Sequence, residues 1–341
     1  MYKQTSTAIF LIVILLIWVS SCRQGKKTDI SFYYWKSTIA QNEKEADVLR
    51  QNDVSDLYLR YFDITLNERN QPVPEAPLQG NMYKNINVNV IPVIYIRNNV
   101  FKKADEKNLA LLAKDCAAFI REMNSHFGTA PHEIQFDCDW TPGTRQKYFR
   151  FLQLFKKEYP IRLSATIRLH QYKYPAITGV PPVEKGTLMY YNMGEIASDT
   201  LNSVYDRKKA VRYLTPKSPY PIALNVALPI FSWGVRIRNG KVVQLLSKLS
   251  EREIAADTHF RKLTRKRYEN IQSCFFHGFY FKKGDIVKIE SISSRQLLEM
   301  ADDLKKGIKT GIKEIIFFDL DTLNTNKYEK NIFQEVADRI R

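Results

Sequence analysis

Glu133-Ile134-Gln135-Phe136-Asp137-Cys138-Asp139-Trp140-Thr141 is the stretch from which the fold can be read. In an extended strand successive side chains point to opposite faces. Gln135, Asp137, Asp139 and Thr141 therefore share one face, and Ile134, Phe136 and Cys138 the other. The apolar face calls for a layer of helices, so both aspartates point to the interior of the sheet they belong to. Carboxylates one strand repeat apart disfavour each other's ionisation, so one holds a proton near neutrality. Such a pair can do acid/base work or hold a cation. It can equally be structural, bonded to arginine or to backbone amides. Burying two acids costs several kcal/mol when nothing compensates it.

Similar runs lie on both sides. Strands are predicted over Ser31–Trp35, Leu57–Asp63, Val88–Ile96, Glu133–Trp140, Arg162–Leu169, Thr187–Met193, Ile222–Phe231 and Glu314–Asp319. Most are nearly continuous in Val, Ile, Leu, Phe and Tyr, as strands buried on both faces are. Helical periodicity appears at Asp105–Phe127 (Leu109, Leu112, Cys116, Phe119, Ile120, Met123), at Thr144–Tyr159, and at Ser294–Gly307 between a serine cap and a glycine stop. Eight strands alternating with helices predict an α/β chain forming a single (β/α)8 TIM-type barrel. Residues 64–86, with Pro72, Pro74, Pro77 and Gly80, make a long connection. Residues 234–290 form a hairpin insertion between strands 7 and 8. One hairpin turns at Asn239-Gly240, a type I′ signal, and the other runs over Phe279–Ile289 around Lys283-Gly284-Asp285.

The 341 residues are 44% apolar and 12% aromatic, with 13 Gly and 14 Pro, which excludes a disordered or fibrous chain. Four cysteines without Cys-x-x-Cys spacing exclude a disulfide scaffold and argue against a structural zinc site. At the N-terminus Lys3 precedes an unbroken apolar run, Ala8–Val19, too short for a permanent span. Val19-Ser20-Ser21-Cys22 then resembles a bacterial lipoprotein signal, which implies acylation of the Cys22 thiol. Residues 1–22 are read as this signal, 23–30 as a polar tether and 31–341 as the barrel. Arg23, in place of an aspartate, implies the outer membrane facing the periplasm. The expected partners are a glycan and, through the acylated N-terminus, the lipid bilayer of the cell envelope. Of the remaining Cys116, Cys138 and Cys274, an odd count implies at least one buried free thiol, and Cys116 and Cys138 are read as core. The net charge of +16 suits anionic headgroups or acidic glycans. The exported address argues against nucleic acid. No cofactor and no metal are expected, since the five histidines are scattered.

In a barrel of this kind chemistry sits at the C-terminal ends of the strands. Trp35, Trp140 and Trp233 all fall there, and indole faces suit the apolar faces of sugar rings. Arg60, Arg97 and Arg168 also fall there and could clamp an anion or neutralise Asp137 and Asp139. Further carboxyl candidates are Asp63, Glu195, Asp319 and Asp321.

The 133–141 run resembles the fourth strand of chitinase-type, family 18 glycoside hydrolases, which carry Asp-x-x-Asp-x-Asp-x-Glu. Asp137 and Asp139 match the last two aspartates and Trp140 the usual aromatic. Ile134 replaces the first aspartate, and Thr141 stands where the catalytic glutamate would be. Met189-Tyr190-Tyr191-Asn192 resembles the sixth-strand Met-x-Tyr-Asp/Asn, which implies that Tyr191 and Asn192 hold an acetamido group. An uncharacterised group of bacterial barrel proteins with a Gln-x-Asp-x-Asp fourth strand is similar at Gln135, Asp137 and Asp139, at Tyr148, and at Leu163-Ser164-Ala165-Thr166. The expectation is a membrane-anchored, glycan-active barrel. As a glycoside hydrolase it would use Asp137 and Asp139 as catalytic residues and Trp35, Trp140, Tyr191, Asn192, Trp233, Arg60, Arg97 and Asp319 to bind substrate. The alternative is a non-catalytic glycan-binding lipoprotein that has lost the glutamate at Thr141.

Overall fold

The structure is a computed structural model that describes residues 27–341 except 41, 84–85, 197–201, 217 and 265. The signal, the expected lipidation at Cys22 and residues 23–26 of the tether lie outside the described residues. Eight parallel strands close into a barrel: β1 (Asp29–Tyr34), β2 (Asp56–Leu66), β3 (Asn89–Ile96), β4 (Glu133–Asp137), β5 (Arg162–Arg168), β6 (Lys185–Met189), β7 (Ala223–Pro229) and β8 (Glu314–Phe318). Each pairs with the next, and β1 pairs with β8 from Asp29↔Glu314 to Phe32↔Phe317, which closes the ring. These are the eight strands that the apolar runs predicted.

Strand β4 shows why the ring closes with this face inward. Its alternate residues climb the barrel interior as a ladder of satisfied polar groups. At the bottom Glu133 pairs with Lys185 at 3.0 Å, and Lys185 also reaches Glu314 at 3.4 Å. Ser31 and Tyr58 hydroxyls donate to Glu314 at 2.6 and 2.9 Å. One layer up, the Tyr33 hydroxyl donates to Gln135 Oε1 at 2.5 Å, and Gln135 Nε2 donates to Thr187 at 3.0 Å. Above that, the Thr166 hydroxyl donates to Asp137 at 2.6 Å. Buried polar groups are tolerated when paired in this way. On the outer face Phe136 meets Phe151 and Phe155 of the helix Arg145–Glu158 at 5.3 and 4.8 Å.

The helix Glu106–Phe127 begins where the Asp105 carboxylate accepts the Asn108 amide N–H at 2.8 Å, and it stops at Gly128 with φ 62°. In the helix Ser294–Gly307 the cap is Ser293, in a capping box with Gln296. Gly307 is no terminator. A Cβ there would lie 2.6 Å from Leu214 Cβ, so the glycine permits close packing. Residues 64–86 are less irregular than expected: β2 runs on to Leu66, and Pro72–Glu75 folds back antiparallel onto it.

The insertion is more than two hairpins. Ser232–Arg238, Lys241–Ser247, Phe260–Thr264, Arg267–Asn270 and Ile286–Ser291 form a five-stranded antiparallel sheet. It has its own apolar cluster, including Leu249, Ile254, Phe260, Phe281 and Val287. The Asn239-Gly240 turn forms as read, with φ 49° and 71°. The expected hairpin over Phe279–Ile289 does not. Phe279–Phe281 pairs with Cys274–Phe276 across His277-Gly278, and Ile286–Ser291 pairs with Ser232–Arg238 instead. That pairing joins strands about fifty residues apart, which turn residues alone do not announce. Cys116, Cys138 and Cys274 are buried free thiols. Among the described residues no helix is long and apolar enough to cross a membrane.

Candidate functional site

At the C-terminal ends of the strands lies a cleft of about 510 Å3. Its wall carries an aromatic arc on one side, with Lys248, Asp319 and Asn324 set among the rings, and a charged cluster on the other. Half is an aromatic arc built by β1, β8, β7 and β6. Trp35 packs on Phe318 (5.3 Å between ring centroids), Phe318 on Tyr191 (5.7 Å) and Phe231 (5.9 Å), and Phe231 on Trp233 (5.3 Å). The other half carries Asp63 from β2, Tyr95 from β3, Asp137 from the end of β4, Asp139 just beyond it and Arg168 from β5. A second lobe of about 430 Å3 shares Asp139, Arg168, Asn192 and Trp233, and adds His170 and Ser203.

The two aspartates of the fourth strand both line the cleft, in unlike settings. Burial, and then the charge of Asp139, push the Asp137 carboxyl up to about 6. Asp139 is held in a two-pronged ion pair by Arg168, through Nε–Oδ1 and Nη2–Oδ2. This is the neutralising role that the sequence left open for arginine. The Arg60 guanidinium pairs with Asp63 at 2.7 Å and lies over the Trp35 ring at 5.8 Å. Arg60 thus supports two lining residues and is not itself one of them. Asp319, at the end of β8, is buried against Asn324, which donates to it at 2.5 Å, and burial pushes its carboxyl up to about 6. Tyr191 is buried, and its hydroxyl has no hydrogen-bond partner among the described residues. Asn192 is exposed at the rim, with φ 58°.

Two expected binding residues stand elsewhere. Trp140 is 1% exposed and lies outside the barrel wall. Its indole N–H donates to Thr178 O at 2.9 Å, and its ring stacks on Tyr148 at 5.4 Å. The period-two pattern that turns Asp137 and Asp139 inward turns Trp140 outward. Arg97 forms an exposed pair with Glu75 at 3.4 Å, away from the cleft. Strand β4 also ends at Asp137, earlier than read. The Trp140 N–H donates to Cys138 O at 2.9 Å, and Thr141 opens the following helical turn, where its amide donates to Thr144 Oγ1. Thr141 is exposed and does not line the cleft. Of the other carboxyl candidates, Asp321 is taken up by Lys36 (3.1 Å) and Lys248 (2.8 Å), and Glu195 is exposed. Phe231, Phe318 and Tyr95 were not singled out from the sequence. Each sits at or just beyond the end of a barrel strand, where Trp alone was sought as the stacking residue. Among the described residues no three His, Cys, Asp or Glu side chains converge as metal ligands would.

No protein-family model matches the chain, and no curated protein matches it. Solved structures do share its fold. An immunomodulatory active chitinase from Trichuris suis superimposes with a TM-score of 0.54 at 11% identity, over 91% of this chain and 99% of its own. The Bacillus cereus spore cortex-lytic enzyme SleL gives 0.50 at 13% identity, over 92% of this chain and 74% of its own. A mutant family 18 chitinase from Cycas revoluta, solved in complex with (GlcNAc)4, gives 0.50 at 15% identity, over 92% and 99%. The chitinase-type resemblance of the fourth and sixth strands and this likeness in fold agree.

Proposed function

We propose that the chain is a glycan-active barrel, anchored to the cell envelope by an acylated Cys22 and facing the periplasm from the outer membrane. The observation that carries the glycan reading is the cleft's two-sided wall. A sugar ring has apolar C–H faces and a polar rim. Trp35, Phe231, Phe318 and Trp233 offer stacking surfaces, while Asp63, Asp137, Asp139 and Arg168 across the cleft offer partners for hydroxyl groups. The unpartnered Tyr191 hydroxyl is a buried polar group that a bound ligand would satisfy.

The hydrolytic reading rests on two carboxyl groups raised to about 6, Asp137 on β4 and Asp319 just after β8. Either holds a proton close enough to neutrality to protonate a glycosidic oxygen, with the other group ionised to assist. The binding-only reading draws on Thr141, exposed outside the cleft, and on Asp139, committed to Arg168. Glycan-array binding followed by product analysis of each hit decides between them. The hydrolytic reading expects cleaved products that Asp137→Asn reduces by about 10²-fold or more. Intact ligand from every hit supports the binding reading, and no binding to any glycan removes both.

A further inference from the structure

The two cleft residues Trp233 and Asn192 sit on different parts of the molecule, one on the first strand of the insertion and one just after β6. One buried carboxylate joins them. Glu290, on the last strand of the insertion and 2% exposed, accepts the Trp233 indole N–H at 2.7 Å on Oε2. The Ser203 hydroxyl donates to the same oxygen. The Ser203 amide donates to Oε1 at 3.1 Å, and Lys288 Nζ lies 2.7 Å from Oε1. The segment so held is zipped to the Asn192 loop. The Asn192 N–H donates to Val204 O at 2.9 Å and the Gly194 N–H to Ser203 O at 3.0 Å. The approach is so close that a Cβ on Gly194 would lie 2.6 Å from Ser203 Cα.

We infer that Glu290 is a positioning residue for the cleft, fixing the Trp233 ring and the Asn192 loop in register with each other. A carboxylate suits the place because four donors converge on its two oxygens. A neutral isostere has one oxygen and one NH2 group, so it must set a donor against a donor on one side. Trp233 and Asn192 flank the lobe that contains Asp139 and Arg168, so one change at Glu290 loosens both sides of that lobe. This rests on the glycan reading above.

The test uses the full chain with nitrogen-labelled tryptophan, the Trp233 indole proton being assigned by its loss in Trp233→Phe. Wild type should show a slowly exchanging indole proton and bind (GlcNAc)4. In Glu290→Gln that proton should exchange about tenfold faster and binding should weaken about tenfold, the size of one lost charged hydrogen bond. Gly194→Ala, which presses on Ser203 but leaves the Glu290 carboxylate and the Trp233 N–H facing each other, should weaken binding and leave the indole proton slow. Wild-type affinity in Glu290→Gln overturns the inference. If wild type binds no (GlcNAc)4, that sugar is not its ligand, the glycan reading stays with the array above, and the indole proton alone decides here: unchanged exchange in Glu290→Gln overturns the positioning role.

Discussion

Trp35 and Trp140 look alike in the sequence, each expected at the C-terminal end of a barrel strand, yet they face opposite sides of the wall. Trp35 lines the cleft beside Phe318, whereas Trp140 fills the space between barrel and helix against Tyr148 and Phe149. Trp35→Ala should weaken glycan binding by about 1–3 kcal/mol and leave the unfolding midpoint nearly unchanged. Trp140→Ala should cost about 3–5 kcal/mol of folding stability, read by denaturant titration, because a large buried ring leaves a cavity. The reverse pattern would mean that the wall assignment is wrong. Asp137 gives a residue-scale pH effect. Its carboxyl sits near 6 in the fold against an ordinary 3.8, so the folded state binds the extra proton between those values. Stability from this group is therefore full below about pH 4 and is lost as pH rises through 6. Asp319 acts in the same direction over the same window. Asp137→Asn should accordingly raise stability at pH 7–8 by about 1–3 kcal/mol, with no gain at pH 4. A variant equally destabilised at both pH values would contradict the burial argument.

The insertion is the element whose stability is most separable from the barrel, since its apolar cluster is its own. Its sheet is tied together by Asp285, 1% exposed. That carboxylate takes Arg236 at 2.5 Å, Arg238 at 2.6 Å and the Lys282 amide at 2.9 Å. The Arg236 guanidinium is buried, 4.1 Å from the centre of the Phe281 ring. Asp285→Ala leaves that charge buried without a counter-charge, with Gln244 Oε1 and Tyr280 O still accepting from it, and the expected cost is about 3 kcal/mol. Limited proteolysis should then cut within 232–291 first, while the barrel stays protected. Equal cleavage throughout would show that insertion and barrel unfold as one unit. A looser insertion also frees Trp233, so glycan binding should fall along with protease resistance.

For the molecule as a whole, the ring order sets the cleft's character. β1, β8, β7 and β6 are consecutive around the barrel and carry the aromatic arc, with Asp319 just after β8, while β5, β4, β3 and β2 lead to Arg168, Asp139, Asp137, Tyr95 and Asp63. β1 and β8 are neighbours in that ring although they are the first and last barrel strands in the chain, which is how Trp35 and Phe318 come to touch. The anchoring proposal also belongs to this scale. Cys22→Ser should move the protein from the detergent-extracted membrane fraction to the soluble periplasm, and continued partition into membranes would refute acylation at that residue. Apolar runs and strand alternation alone determined the eight barrel strands and the inward face of Gln135, Asp137 and Asp139, because both follow from the period of an extended chain. Trp140 was expected in the cleft but points outward, an odd number of residues from Asp137, and Thr141, on the inward parity, leaves the cleft because the strand has already ended. The tertiary structure alone decided that Arg168 is the partner of Asp139, that Phe231 and Phe318 complete the aromatic arc, and that Glu290 holds Trp233. Each depends on contacts between strands distant in sequence, and local periodicity carries no information about which distant strand will lie alongside. The insertion's sheet was illegible for the same reason: Ser232–Arg238 finds its partner in Ile286–Ser291 only once the chain between them has folded.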